Sequence, residues 1–356
     1  MTIVDVARIA GVSVPTVSRV LNKRQNVNKV LKKKVEEAIA ETNYAPNLNA
    51  RYTRTGTNDI ISIILPTFET NLFTGLLQGA ADTCMEHNLR LSVYQSNGNI
   101  ENDIRCIDMV RASFSGGLIY CPVSPDSLEY FKSAVSQKTP TVIASRRGLI
   151  ENVPHVYPDN ISGCYTATKY LLQQGHRRIA FFAGFWETPG YDADYLMTLL
   201  EGKTRGVYSS LDRLQGYIDA LKEFNLDVQK SLLRITAYNY ESGYESMKAF
   251  LASLIDFDAV ICANDWVAAG VLQSLREQNI LVPDQVSVVG FDDGAITNIA
   301  RPTLTSVRQP SYQIGQRVIK TVISLINGVN PGDIKLDMTL IVRNSTAAKN
   351  YRTRSV

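Results

Sequence analysis

Eight apolar runs of five to eight residues punctuate the chain: IISIIL (60–65), LRLSVY (89–94), GGLIYC (116–121) and TVIAS (141–145), then RRIAFFAG (177–184), LLRITAY (232–238), DAVICAN (258–264) and VSVVGFD (286–292). Segments with helical spacing separate them. A strand that is apolar along its whole length has no face to give to water, so it belongs in a parallel sheet covered by helices on both sides. Two series of about four such strands predict two similar doubly wound α/β lobes.

Sheets of this kind bind ligands at the carboxyl ends of their strands. There the chain places its polar and aromatic groups: residues 66–73, Ser145 with Arg146 and Arg147, Phe185 and Trp186, Tyr238, Asn264 and Asp265, Asp292 and Asp293. Loops are polar wherever they meet water, so no one of these residues is diagnostic. The convergence of six loops is what marks a candidate cleft.

At 356 residues, 45% hydrophobic and 20% charged, the chain reads as an ordinary folded protein of two or three domains. No apolar run approaches the roughly 20 residues of a membrane span, and no signal peptide opens the sequence, so a cytoplasmic protein without membrane contact is expected. Cysteines 84, 106, 121, 164 and 262 are odd in number and lack C-x-x-C spacing. Buried reduced thiols are expected, with no metal site and no cofactor.

Charge is uneven. Residues 1–57 hold ten Lys/Arg against four acids, a net +6, which leaves −3 for the rest. A basic head on a mildly acidic body suggests that the head alone meets a polyanion.

The head supplies a motif. In VDVARIAGVSVPTVSRVLN (4–22), Val6, Ala7 and Ala10 share one helical face, and Gly11 follows where a tight turn is needed. Ser13 reads as the cap of a second helix, with Pro15 tolerated in its first turn. Val17, Val20 and Leu21 point back at the first helix, leaving Pro15, Ser18, Arg19 and Asn22 outward. This is a helix-turn-helix. A third helix follows, with Asn28 as cap and Leu31, Val35, Ala38, Ile39 and Thr42 inward; Lys32, Lys33 and Lys34 at its start suit phosphates.

TIVDVARIAGVSVPTVSRVLN (2–22) with VEEAIAETNYAPNLNAR (35–51) resembles the N-terminal signature of the LacI/GalR family of bacterial repressors. The resemblance implies that the second helix enters the major groove and that Val14, Pro15 and Arg19 face bases. Arg19 offers a bidentate contact to guanine, the other two only apolar contacts. The implied DNA-contacting set is Ser13, Val14, Pro15, Thr16, Ser18, Arg19, Asn22, Lys32, Lys33, Asn47, Arg51, Thr53 and Arg54. Residues 1–45 form the head, and 46–57 would be a hinge helix, in which Thr53 stands where the family carries a minor-groove leucine wedge.

The resemblance continues through NLF (71–73), DN..G (159–163), GHRRIA (175–180), DRLQGY (212–217), AND..A.G (263–270), PDQVSVVGFDD (283–293), PTLTSVRQP (302–310) and RNSTA (343–347). It implies a two-lobed body like periplasmic sugar-binding proteins over 58–346, crossed near residues 158, 293 and 330, with a tail at 347–356. Lobe 1 would hold about 58–157 and 294–329, lobe 2 about 158–292 and 330–346. The implied effector contacts are Phe73, Arg213, Tyr238, Asn264 and Asp292, and Ser145 and Trp186 complete a candidate set of seven. Ser145 stands where an Asp usually ends the fourth strand, and Trp186 opens a loop (187–211) longer than usual. A sugar or sugar derivative suits this set: Arg213 offers a donor fork, Asp292 accepts from hydroxyls, Asn264 does both, and the aromatic rings stack. A nucleobase or nucleoside would use much the same groups.

Two rival functions are weaker. For an enzyme, His87, His155, His176 or the Asp292–Asp293 pair are the candidate acids and bases, but the sequence has no P-loop, G-x-G-x-x-G, G-x-S-x-G or metal spacing, so no catalytic residue is assigned. A solute-binding protein without DNA function would carry a signal peptide where the helix-turn-helix stands. The sequence therefore reads as a ligand-responsive transcriptional regulator. Its partners are double-stranded operator DNA, a sugar-like effector and a second copy of itself, because a two-fold operator needs two heads. No leucine heptad closes the sequence, which favours a dimer over a tetramer.

Overall fold

Local caps and one glycine fix the first three helices. Thr2 opens α1 (Ile3–Ile9) with a capping box, its N–H donating to the Asp5 carboxylate at 2.9 Å while its hydroxyl accepts from the Asp5 N–H. Gly11 then turns the chain at φ +64°, a conformation costly to residues with a β-carbon. α2 (Val14–Leu21) follows, and Asn28 caps α3 (Lys29–Thr42) by accepting from the Val30 N–H at 2.8 Å. The small core between them holds Val6, Ala7, Ala10, Val17, Val20, Val35 and Ala38. Leu31, expected inward, is exposed; Val35, Ala38, Ile39 and Thr42 carry the inner face of α3.

The computed structural model describes residues 1–21, 27–44, 58–113, 115–135, 138–186, 192–202 and 205–349. It divides into two compact units, Met1–Asn58 and Asp59–Val356. The expected hinge at 46–57, with Asn47, Arg51, Thr53 and Arg54, lies outside the described residues, as does Asn22.

The second unit contains two six-stranded sheets. Its strands are β1 (Ile60–Leu65), β2 (Arg90–Gln95), β3 (Gly117–Tyr120), β4 (Thr141–Ala144), β5 (His155–Pro158), β6 (Ile179–Gly184), β7 (Leu233–Thr236), β8 (Ala259–Ile261), β9 (Ser287–Asp292), β10 (Thr305–Arg308), β11 (Ile334–Leu336) and β12 (Thr339–Ile341). The helices are α4 (Asn71–Glu86), α5 (Ile100–Ala112), α6 (Pro125–Ala134), α7 (Asn160–Gln173), α8 (Ala193–Glu201), α9 (Ser209–Glu223), α10 (Tyr240–Ala252), α11 (Asp265–Glu277), α12 (Ile296–Ile299) and α13 (Ser311–Ile326). The sheet orders, β11-β5-β4-β3-β1-β2 and β12-β10-β9-β8-β6-β7, repeat one doubly wound pattern. All pairs are parallel except β10–β12. The five cysteines are free and buried.

Two of the expected crossings move. The chain does pass from the first sheet to the second between β5 and α7, at 158–160. It does not return near 293: α12 and β10 stay with the second lobe, β10 pairing in register with β9 (Thr305 with Val289). The return falls between β10 and α13, at 309–310, and the last crossing between β11 and β12, at 337–338, rather than near 330. β5, β10, β11 and β12 were not anticipated: they are as short as β3, β4, β7 and β8 but lack the continuous apolar run that marked those strands.

Helices pack against each other at glycines in both lobes. On α13, a β-carbon at Gly315 would lie 2.0 Å from the Leu76 carbonyl oxygen of α4; on α9, one at Gly216 would lie 2.1 Å from the Ile161 oxygen of α7. These neighbours are backbone and cannot rotate away. Gly315→Ala should therefore cost about 1–3 kcal/mol as α4 and α13 are forced apart. Thermal denaturation checks this; an unchanged melting temperature would show that the helices separate freely.

Candidate functional site

Six strand-end loops converge, as the doubly wound pattern requires. The cleft they form is lined by Thr70, Leu72, Phe73 and Arg146 from the first lobe, by Trp186, Ser209, Arg213, Tyr238, Ala263, Asn264 and Asp292 from the second, and by Gln309 from the second crossing. Six of the seven residues expected to contact an effector are thus brought together. Ser145 is not. It is buried with φ +58°, and this left-handed turn presents its neighbour Arg146 to the cleft instead.

Arg213 is only 4% exposed. Its Nε donates to Asn160 Oδ1 at 2.8 Å, its Nη1 to the Ala263 carbonyl at 2.5 Å, and its guanidinium lies 4.3 Å from the centre of the Phe291 ring. Nη2 makes no bond to a described residue. The Asn264 amide is largely committed: Oδ1 caps α11 by accepting from the Val267 N–H at 2.8 Å, and Nδ2 donates to the Tyr238 carbonyl at 3.0 Å. Asn264 therefore positions Tyr238 as well as facing the cleft. The Tyr238 ring lies against Gly184, where a β-carbon would come within 2.3 Å of it.

Asp292 accepts from Gln309 Nε2 and has φ 103°, a conformation residues other than glycine enter only when their surroundings hold them. The hold is visible next door. Asp293 is bound by Arg308 at 2.7 Å and Arg343 at 2.6 Å, and its N–H donates to Ser306 Oγ at 3.1 Å. Burial pushes the Asp292 carboxyl up to about 6, against the opposing pull of Arg213 and Gln309. Behind it Asp265 is fully enclosed, and burial with the nearby Asp292 charge drives its carboxyl well above the usual range.

Aromatic groups fill the middle. Trp186 lies 4.7 Å from Tyr238 and 6.3 Å from Phe73, ring centre to ring centre, and so spans the two lobes. Its far side rests on Gly98 of the first lobe, where a β-carbon would clash at 2.6 Å. The remaining cavity is about 20 Å³, room for about one water. Around it are buried polar atoms without partners among the described residues: Thr70 Oγ1, Arg146 Nε, Trp186 Nε1 and Gln309 Oε1. Such orphans are rare in folded proteins and call for an occupant. Of these four residues only Trp186 was in the expected contact set. Thr70 and Arg146 lie in strand-end loops named as candidates but not as contacts, and Gln309 lies at a crossing without a periodic signal.

Two of the three histidines hold chain segments in place. His155 Nδ1 lies 3.0 Å from Asp333 while Nε2 accepts from the Leu149 N–H at 3.1 Å; His176 bonds the Ala347 carbonyl at 3.1 Å. His87 ends α4.

In the head, Ser13, Pro15, Arg19, Lys32 and Lys33 are exposed and Thr16 and Ser18 half-buried. Val14 is half-buried against the three-helix core, which limits the surface it has left to offer. Lys32 and Lys33 make loose pairs with Glu36 and Glu37 at 3.8 and 3.9 Å, weak enough to be exchanged for phosphates.

Residues 2–47 match the model for bacterial regulatory proteins of the lacI family, and residues 168–346 the model for a periplasmic binding protein-like domain. The HTH-type transcriptional regulator RegA of Clostridium saccharobutylicum is 33% identical over 348 residues, 97% of this chain and 99% of its own. Among solved structures, a transcriptional regulator CelR–cellobiose complex is 28% identical, with a TM-score of 0.70 over 97% of this chain and 99% of that one. The Lac repressor dimer bound to operator and the anti-inducer ONPF shares the fold, with a TM-score of 0.83 at 23% identity over 98% of this chain and 99% of its own. The chain belongs to the lacI family of bacterial regulatory proteins and is a DNA-binding transcriptional regulator.

Proposed function

We propose that the cleft binds a small polyhydroxylated ring compound, a sugar or sugar derivative, and that its occupancy sets the affinity of the head for operator DNA. The reading includes action as a homodimer on a two-fold site in the cytoplasm, with no catalytic step. One observation carries it: the two charged groups best suited to a polyol are each bonded to a crossing between the lobes. Arg213 binds Asn160, just past the first crossing, and Asp292 binds Gln309, in the second. A ligand that engages Arg213 and Asp292 competes for or reinforces these bonds, and so biases the angle between lobes. The cellobiose in the similar CelR complex supports a sugar over other rings.

Trp186 occupies the space a ring would need, so ligand entry requires the indole to move or the lobes to part. The chain has two tryptophans, and Trp266 is 40% exposed at the start of α11. Effector binding should therefore shift the emission of the half-buried Trp186, and the shift should persist in Trp266→Phe and vanish in Trp186→Phe. A shift that survives in Trp186→Phe would place the ligand elsewhere.

In the head, Arg19→Ala should cost about 1–3 kcal/mol on the cognate operator and flatten discrimination at one base pair. Lys33→Ala should weaken all sequences alike and reduce the salt slope by about one unit. Equal loss on cognate and random duplexes for Arg19→Ala, read by anisotropy, would remove it from base reading.

The raised Asp292 carboxyl gives a pH signature. The folded state keeps this proton up to about pH 6, whereas an unfolded Asp loses it near pH 4. The stability it contributes is present below about pH 4 and declines as pH rises through that window. Asp292→Asn lacks the titration, so wild type minus variant melting temperature should fall from pH 4 to 6. A flat difference would mean that the carboxyl ionises as it does in water.

A further inference from the structure

We infer that the effector carries a negative charge: a sugar acid or sugar phosphate whose oxyanion is met by Arg146. This rests on the reading of the cleft as the effector site and narrows the ligand within it. Arg146 lines the cleft, is 5% exposed, and makes one bond, from Nη1 to the Ser145 carbonyl at 2.9 Å. Its Nε is buried and unpartnered, and no described carboxylate lies within ion-pair distance of it. The next residue shows what a satisfied guanidinium looks like here: Arg147 grips Asp212 with two bonds of 2.7 Å.

A buried guanidinium without a counter-ion is costly, because its lost hydration is replaced by nothing of opposite charge. The other charged groups lining the cleft do not supply one. Arg213 adds a second positive charge, and the single acid, Asp292, is engaged by Gln309 and faces Arg213. Of the four orphaned atoms, Arg146 Nε and Trp186 Nε1 can only donate, the Thr70 hydroxyl can do either, and Gln309 Oε1 can only accept, so unmet donors outnumber unmet acceptors. A neutral polyol brings donors and acceptors in equal measure. A carboxylate or phosphate brings acceptors and the missing charge, in a shape that the guanidinium fork matches.

The test uses full-length protein at matched ionic strength and pH 7.5, with glucuronate, galacturonate and glucose 6-phosphate set against glucose and galactose, and inorganic phosphate as a ringless probe. Calorimetry gives affinities, and Trp186 emission reports whether the cleft is the site. At least one of the carboxylate or phosphate sugars should bind ten-fold or more tighter than its neutral parent, which identifies the anion. Arg146→Gln should erase the preference, and Arg146→Lys, which keeps a charge without the fork, should retain part of it. A neutral sugar that binds as tightly as its acid, or a preference that persists in Arg146→Gln, overturns the inference while leaving the cleft as an effector site. Silence in Trp186 emission from every probe, charged and neutral, overturns the cleft reading with it.

Discussion

The bond from Arg213 to Asn160 joins the two things a regulator of this kind must connect. Its donor reaches into the cleft from α9, and its acceptor stands at the first residue of α7, where the chain has just crossed between lobes. Because the guanidinium is buried, it cannot drop one partner without taking another: an unpaired buried donor costs about 1–3 kcal/mol. Asn160, the Ala263 carbonyl and the Phe291 ring therefore form a cage that only a ligand with its own acceptors can rearrange. The Gln309–Asp292 bond does the same at the second crossing. The Asp159–Lys335 ion pair of 2.6 Å then ties the first crossing to the segment leading into the third.

The cleft in this state is closed by its own side chains. Trp186 bridges the lobes and two glycines are shaped around the aromatic pair, Gly98 under the indole and Gly184 under Tyr238. Strain is stored beside it in the left-handed backbone of Asp292 and Asp293, held by Arg308 and Arg343. Orphaned polar atoms, strained backbone and a ring already in place together describe a site whose best partner is absent from the chain itself.

Much of this was legible in the sequence, and the exceptions have physical causes. Apolar runs of five or more residues located the long central strands because only a doubly covered sheet tolerates them. The same rule placed Phe73, Trp186, Tyr238, Asn264 and Asp292 at one end of both sheets, while Arg213, on α9, came from the family resemblance alone. It failed at β10, β11 and β12, where three or four residues with polar neighbours carry no period, and with them went the second and third crossings. Gln309 was missed for that reason. Arg146 was among the strand-end groups but not among the expected effector contacts, because the left-handed turn at Ser145 that presents it to the cleft leaves no trace in composition. In the head, the i, i+3, i+4 spacing of Val17, Val20 and Leu21 read correctly, whereas Leu31 near the start of α3 is exposed because the first turn of that helix overhangs its small core.

If the crossings transmit occupancy of the cleft, the residue to change is one that touches Arg213 without lining the cleft. Asn160 meets both conditions. The measurement is operator affinity, by anisotropy on a duplex selected from random DNA by the wild-type protein, with and without a saturating amount of the ligand that gives the largest thermal shift. The wild type should change affinity about five-fold or more. Asn160→Asp, which keeps the acceptor, should preserve that change, and Asn160→Ala should still bind the ligand yet lose most of it. An Asn160→Ala protein that answers the ligand as fully as the wild type would contradict the coupling of cleft to crossing.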